Sequence, residues 1–225
     1  MRHTGQPAAE TIARQPLEVA ADGGSNLLAW RPRVAPEAAP VDLAAAERAA
    51  AAMLSALGLP VDSVGMAETP RRMTEAYAEM LDVGAFDFTT FPNSEGYDEL
   101  VLVENIPVRS LCEHHMLPFV GVAHVGYLPD QRILGLSKFA RVVNFFGHRP
   151  QTQERLTMQI AEHLQDKLSP RGVGVVIEAE HTCMSLRGVR AVGARTISST
   201  LFGMLRENPS SRAEFLSLAR SRKEA

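Results

Sequence analysis

This chain has only two cysteines, and each stands beside histidine: Cys112 in the run Leu111–Phe119 (LCEHHMLPF), Cys183 in His181-Thr182-Cys183. No other feature constrains the fold as much. Cysteine thiolate and histidine nitrogen are the ligands that zinc prefers. Cys112 and His115 have C-x-x-H spacing, which lets one tight turn aim both side chains at one ion. If Cys183 closes the set, the chain must return to the same point after a long excursion. Three protein ligands leave a fourth position for water, the arithmetic of a catalytic site and not of a closed structural one. A single disulfide is the alternative use of two thiols, but flanking histidines and a reducing compartment favour metal.

At 225 residues the chain has room for one good-sized domain, or a domain with a helical appendage. Its 45% hydrophobic and 22% charged residues are ordinary for a folded domain. No apolar run approaches the length that spans a bilayer. The opening MRHTGQPAAE lacks the apolar core of a secretion signal, so the expected compartment is the cytoplasm. A formal net charge of −3 excludes a general nucleic-acid binder, whose affinity rests on a basic footprint.

Residues 1–40, rich in Ala, Pro and Gly and holding Trp30, are expected to be a disordered tail. A helical region over 41–82 follows. One helix runs from an N-cap at Asp42 to Gly58, and a second is capped by Thr69 with Pro70 in its first turn. Met73, Tyr77, Met80 and Leu81 share a face of the second helix and read as packing. Residues 83–225 form the expected catalytic domain with a C-terminal helix. Leu100–Ser110 and Val120–Leu128 read as strands joined by the CEHH loop, with Pro107 marking an edge or bulge. His124 reads as an ordinary sheet residue. Ser137–Phe146 reads as a helix capped by Ser137, and Thr152–Leu168 as a longer one with Leu156, Ile160, Leu164 and Leu168 along one stripe. The runs GVGVVIEAEH and VRAVGARTISSTLF read as two more strands, and Ser210–Arg220 as a final helix. Such grouping predicts an α+β domain: an antiparallel sheet with helices on one face.

The residues near the cysteines suggest chemistry. His114, between Glu113 and His115, cannot easily bind the same ion as its neighbour. It is a candidate proton donor or acceptor near neutral pH. His181, two residues before Cys183 and expected on the same strand face, is a second candidate. The alternative for both is a spectator, or a partner that orients a ligand. Ser137, Lys138 and Arg141 gather backbone donors and two cations at a helix start, a pattern suited to phosphates, and Arg187 brings another cation near Cys183. Gln153 and Glu154 open the long helix. A carboxylate there either pairs with the Watson–Crick edge of guanine or serves in capping.

Four motifs in order, CEHHMLPFVGVAHVGYLP, GLSKFARVV, QTQERLTMQIAEHL and EHTCMSLRGV, closely resemble those of GTP cyclohydrolase I, over about Glu68 to Leu205. The resemblance implies the tunnelling fold, in which sheets of neighbouring subunits join into a barrel. It also implies a homodecamer with active sites between subunits, and GTP as substrate. Cys112, His115 and Cys183 match that family's zinc ligands, and His114 and His181 its acid–base histidines. Ser137, Lys138, Arg141 and Arg187 match groups that hold ribose and triphosphate. Glu154, with Gln153 beside it, matches the guanine anchor. Arg72 resembles an arginine that reaches the triphosphate from an adjacent subunit. The implied reaction opens the imidazole ring at C8, releases formate and ends at 7,8-dihydroneopterin triphosphate. Competing readings are a zinc-stabilised purine- or pterin-binding module, and a sibling enzyme of the same fold using histidine-only zinc or a nucleophilic cysteine.

Overall fold

The two N-terminal helices begin where local chemistry dictates. In the computed structural model, which describes residues 40–82, 84 and 87–220, α1 (Leu43–Ala56) starts at Asp42, whose carboxylate accepts from Ala45 N at 2.9 Å. It ends just before Gly58, whose φ of 81° suits glycine. α2 (Thr69–Leu81) begins one residue earlier than its proline suggests. Thr69 is already helical, and Glu68 occupies the cap without a side-chain bond. The tail expected over residues 1–40, Trp30 included, lies outside the described residues except for residue 40.

The remaining elements are β1 (Thr90–Pro92), β2 (Val101–Cys112), β3 (Pro118–Leu128), β4 (Arg132–Leu134), α3 (Ser137–Gly147), β5 (Pro150–Gln151), α4 (Gln153–Leu168), β6 (Gly172–His181), α5 (Thr182–Ser185), β7 (Thr196–Gly203), α6 (Met204–Glu207) and α7 (Pro209–Leu218). β1 and β4 form a small antiparallel ribbon. The main sheet runs β5-β2-β3-β6-β7, and its four long strands are antiparallel throughout. Two-residue β5 joins β2 in parallel, pairing Leu111 with Pro150 and Cys112 with Gln151. Pro107 sits where β2 pairs with β3 alone among the described residues, just past a bulge between Val103 and Ile106. Proline's missing N–H costs nothing at such an edge.

Alternation along the strands builds the core. Phe119, Ala123, Val125 and Tyr127 of β3 lie opposite His181, Ile177, Val175 and Val173 of β6, on one face. α3 covers that face with Phe139, Val142 and Val143, and α4 with Leu156, Ile160, Leu164 and Leu168, all buried. Each such side chain contributes about 1.5–3 kcal/mol by leaving water. This is the α+β arrangement expected of a tunnelling fold. The C-terminal α7 uses the opposite face, where Phe215 lies over the paired Gly126 and Gly174. A Cβ on Gly174 would come within 2.6 Å of the Phe215 ring, so the pair gives the ring its seat.

Two further local expectations change. Ser137 is the first helical residue of α3, and Leu136 holds the cap position without a side-chain bond. The last strand starts at Thr196, not after Gly188, because Arg190 (φ 53°) and Gly193 (φ 77°) turn the intervening chain. Left-handed backbone cannot continue a strand.

One carboxyl on α4 makes stability depend on pH. Burial, and secondarily Asp166 one turn on, push Glu162 up from 4.5 to about 7. The folded state therefore keeps a proton that the unfolded chain has lost. That contribution is complete below pH 4.5 and disappears as pH rises through 7. Glu162→Gln is expected to raise Tm by about 2–4 °C at pH 8, less than the bare shift implies because water screens a partly exposed group. The gain should shrink toward pH 5, and thermal melts at the two pH values check it. Equal gains at both would mean that ionisation of Glu162 is not the cause.

Candidate active site

The CEHH loop is a backbone-determined turn at the end of β2. The Cys112 carbonyl accepts from His115 N at 3.3 Å and Met116 N at 2.8 Å, and Cys112 N donates to Leu117 O at 2.8 Å. Met116 closes the turn with a φ of 52°. The chain then enters β3, and antiparallel pairing places Phe119 opposite His181 at the end of β6. The Thr182 hydroxyl donates to Pro118 O at 2.6 Å, and the single helical turn of α5 brings Cys183 back over the loop. Cys183 is thus on a helical turn and not on the strand that carries His181. The outcome is convergence: ligand atoms of Cys112, His115 and Cys183 all lie within 4.8 Å of one another.

The chemistry of this trio fits a metal ion. Both cysteines are free thiols. Burial, followed by the adjacent Cys112 sulfur, pushes the Cys183 thiol up, with the Arg187 charge opposing. A buried thiol kept protonated beside a second sulfur is what a soft-ligand divalent cation relieves. His114 Nδ1 and His115 Nδ1 both lie 3.9 Å from Cys112 Sγ, yet only His115 belongs to the trio. The His114 side chain is 65% exposed and open to a substrate.

His181 is held by two neighbours. Its ring stacks on Phe119 with centroids 4.5 Å apart and planes 12° off parallel. Its Nε2 is 2.8 Å from Gln153 Oε1. Burial lowers its pKa, with Glu154 pulling the other way. Gln153 is itself 2% exposed, and its amide nitrogen donates to Ile177 O, Thr196 O and Ser198 Oγ at 2.9–3.0 Å. The buried amide thus supports His181 and has no donor left for a ligand. Capping of α4 falls to Thr152, whose hydroxyl accepts from Arg155 N at 3.3 Å. Glu154, in the same turn, is exposed and lines the cleft.

That cleft measures about 240 Å³ and is bordered by Cys112, His114, His115, Glu154, His181 and Cys183, with Gln153 beneath. The structure therefore joins seven residues that the sequence singled out. Ser137, Lys138 and Arg141 on α3, Arg72 on α2 and Arg187 beyond α5 do not line it. Of these, Arg187 is close enough for its charge to act on Cys183.

Sequence reading missed three supports. Tyr77, read only as packing, donates its hydroxyl to Met116 O at 3.0 Å and ties α2 to the loop. Gln151 pairs its backbone with Cys112 and Glu113. Arg155 grips Glu113 from the start of α4. The one available signal was that Gln151 and Arg155 are four residues apart, next to Glu154, across a helix start.

Two thiols and an imidazole at the end of an antiparallel sheet form a cluster able to hold a metal ion, with two more imidazoles and a carboxylate around one cleft of an α+β fold. Residues 46–220 match the family model for GTP cyclohydrolase I. A GTP cyclohydrolase 1 of Mycolicibacterium paratuberculosis is 52% identical over 182 residues, 79% of this chain and 89% of the relative. One from Streptomyces avermitilis is 51% identical over 79% of this chain and 90% of its own length. One from Thermoanaerobacter pseudethanolicus is 46% identical over 81% and 100%. The chain belongs to the GTP cyclohydrolase I family. Among the described residues, no helix is long and apolar enough to cross a membrane.

Proposed function

We propose that the protein is a zinc-dependent GTP cyclohydrolase I. It hydrolyses the imidazole ring of GTP at C8, releases formate and rearranges the remainder to 7,8-dihydroneopterin triphosphate, the first step of tetrahydrofolate and pterin biosynthesis. The observation that carries this reading is the convergence of Cys112, His115 and Cys183 beside His114, His181 and Glu154.

Cys112, His115 and Cys183 hold the ion. Zinc bound there supplies Lewis-acid activation of water at neutral pH. Glu154 anchors the guanine edge through two acceptor oxygens facing adjacent N–H groups. His181, fixed by Phe119 and Gln153, protonates N7 as the ring is attacked. His114, exposed on the loop, protonates the ribose ring oxygen so that the sugar opens for an Amadori-type rearrangement. Ser137, Lys138, Arg141 and Arg187 hold the ribose and triphosphate, and positioning is their whole contribution. Gln153 acts through His181.

The three α3 residues and Arg72 lie away from this cleft, which supports assembly of complete sites between subunits of a homo-oligomer, a decamer. Exposed Leu186, Val189 and Val192, at 73–83% accessibility in the loop after Cys183, are the kind of apolar surface that a neighbouring copy covers. The working compartment is the cytoplasm.

The test is incubation of zinc-loaded protein with GTP, with ATP as control. Formate and a pterin that fluoresces after oxidation are expected from GTP alone, in equal amounts. A folded, metal-replete protein that yields neither is not this enzyme, and one that binds GTP without turnover is the binding module instead.

A further inference from the structure

Arg71, in the first turn of α2, pairs close by in sequence, with Glu68 and Glu75, three and four residues away. Arg155 of α4 behaves differently, crossing 42 positions of sequence to reach Glu113. Two of its three guanidinium nitrogens are anchored. Nε donates to Gln151 Oε1 at 2.7 Å, and one terminal nitrogen donates both to Pro150 O at 2.9 Å and to Glu113 Oε2. The orientation of Gln151 is in turn determined. Its side chain is 1% exposed, and its amide nitrogen donates to Phe146 O at 2.9 Å and Gln159 Oε1 at 2.8 Å, so its oxygen must face Arg155. The Gln151 carbonyl also accepts from Glu113 N at 3.0 Å.

Glu113 stands between Cys112 and His114, one residue from a metal ligand and one from the exposed catalytic histidine. While Oε2 is held by Arg155, Oε1 lies 3.8 Å from His114 Nε2. A carboxylate fixed at one oxygen presents the other at a set place. The backbone turn of the loop does not need this contact, since the Cys112 carbonyl closes it. What the contact adds is the direction of the side chains on either side of Glu113. An exposed ion pair alone does little for stability. Groups that orient metal ligands, by contrast, change affinity and rate while leaving the fold alone.

We propose that Arg155 is a positioning residue for the metal loop: anchored on Gln151 and Pro150, it holds Glu113 so that Cys112 and His115 keep their aim and the second Glu113 oxygen stays at His114. This rests on the cyclohydrolase reading for its kinetic consequences, but not for its metal consequences.

The experiment compares the parent with Arg155→Met, Arg155→Lys, Glu113→Gln and the Met/Gln double variant. It measures zinc release to a chromogenic chelator, kcat and KM for GTP at saturating zinc, and thermal unfolding. Arg155→Met is expected to release zinc about 10–100-fold faster and to lose about 10-fold or more in kcat, with KM little changed. Arg155→Lys, which keeps the charge but not the planar fork, is expected to restore only part of the loss. The double variant is expected to be no worse than the poorer single one, because both break the same link. Zinc release and kcat within about two-fold of the parent in Arg155→Met, or fully additive losses, overturn the proposal. If Arg155→Met does not fold, Glu113→Gln decides, since it leaves the bonds of Arg155 to Gln151 and Pro150 in place: parent-like zinc release and kcat overturn the proposal, and the stated losses uphold it. A parent inert toward GTP would sink the enzyme reading and leave the zinc-release comparison to judge Arg155.

Discussion

Cys183→Ser is expected to empty the metal site and to lower turnover of GTP by about 10³-fold or more. A hydroxyl at this position is shorter, harder and not ionised near neutral pH, so it cannot replace a thiolate toward a soft divalent ion. The trio would fall to two ligands from a single short loop. The fold should survive, because α5 is pinned by the Thr182 hydroxyl on Pro118 O and by Leu186 N on Thr182 O at 3.0 Å. Metal analysis, formate release and a thermal melt on the same preparation check the result. Full metal content with turnover within about ten-fold of the parent would place the ion elsewhere, and with it the reaction.

The second large effect separates binding of the ion from movement of protons. His181→Ala is expected to keep its metal and lose about 10²–10⁴-fold in kcat, the range for removing a general acid. His181 is not among the three converging ligands and is held by Phe119 and Gln153. His114→Ala is expected to keep metal as well, with a loss in the same range but a different stopping point. Without N7 protonation the purine persists and no formate appears. Without protonation of the ribose oxygen, formate is released and the sugar stays closed. Formate and pterin assayed together therefore tell the two apart. Loss of metal from either variant would make that histidine a ligand.

What the sequence told in advance follows from how locally each feature is encoded. Asp42, the Leu156–Leu168 stripe and the alternation of β3 and β6 are written within a few residues, and the elements appear where expected. The convergence of Cys112, His115 and Cys183 was legible because soft donors are scarce and each cysteine lies within two residues of a histidine. Ser137 was misjudged by one position because a serine before an apolar run looks the same as cap or as first helical residue. The last strand was begun too early because Val189, Val192 and Ala194 are apolar, while Arg190 and Gly193 adopt left-handed backbone that no pattern announces. Glu154 reads from sequence as either a cap or a guanine anchor, and the cap belongs to Thr152. Tyr77 and Arg155 escaped notice for a different reason. Each acts on residues about forty positions away, and only the folded chain makes them neighbours.

The buried amide of Gln153 has a consequence for proton inventory. Its nitrogen is committed to three oxygens, so its own oxygen must be the atom that meets His181. Oxygen accepts and cannot give, hence the imidazole hydrogen in the neutral ring belongs on Nε2. The lone pair is left on Nδ1, and that nitrogen alone is free to pick up and hand over a proton. The tautomer of one ring is thereby written into the hydrogen-bond demands of a neighbouring strand.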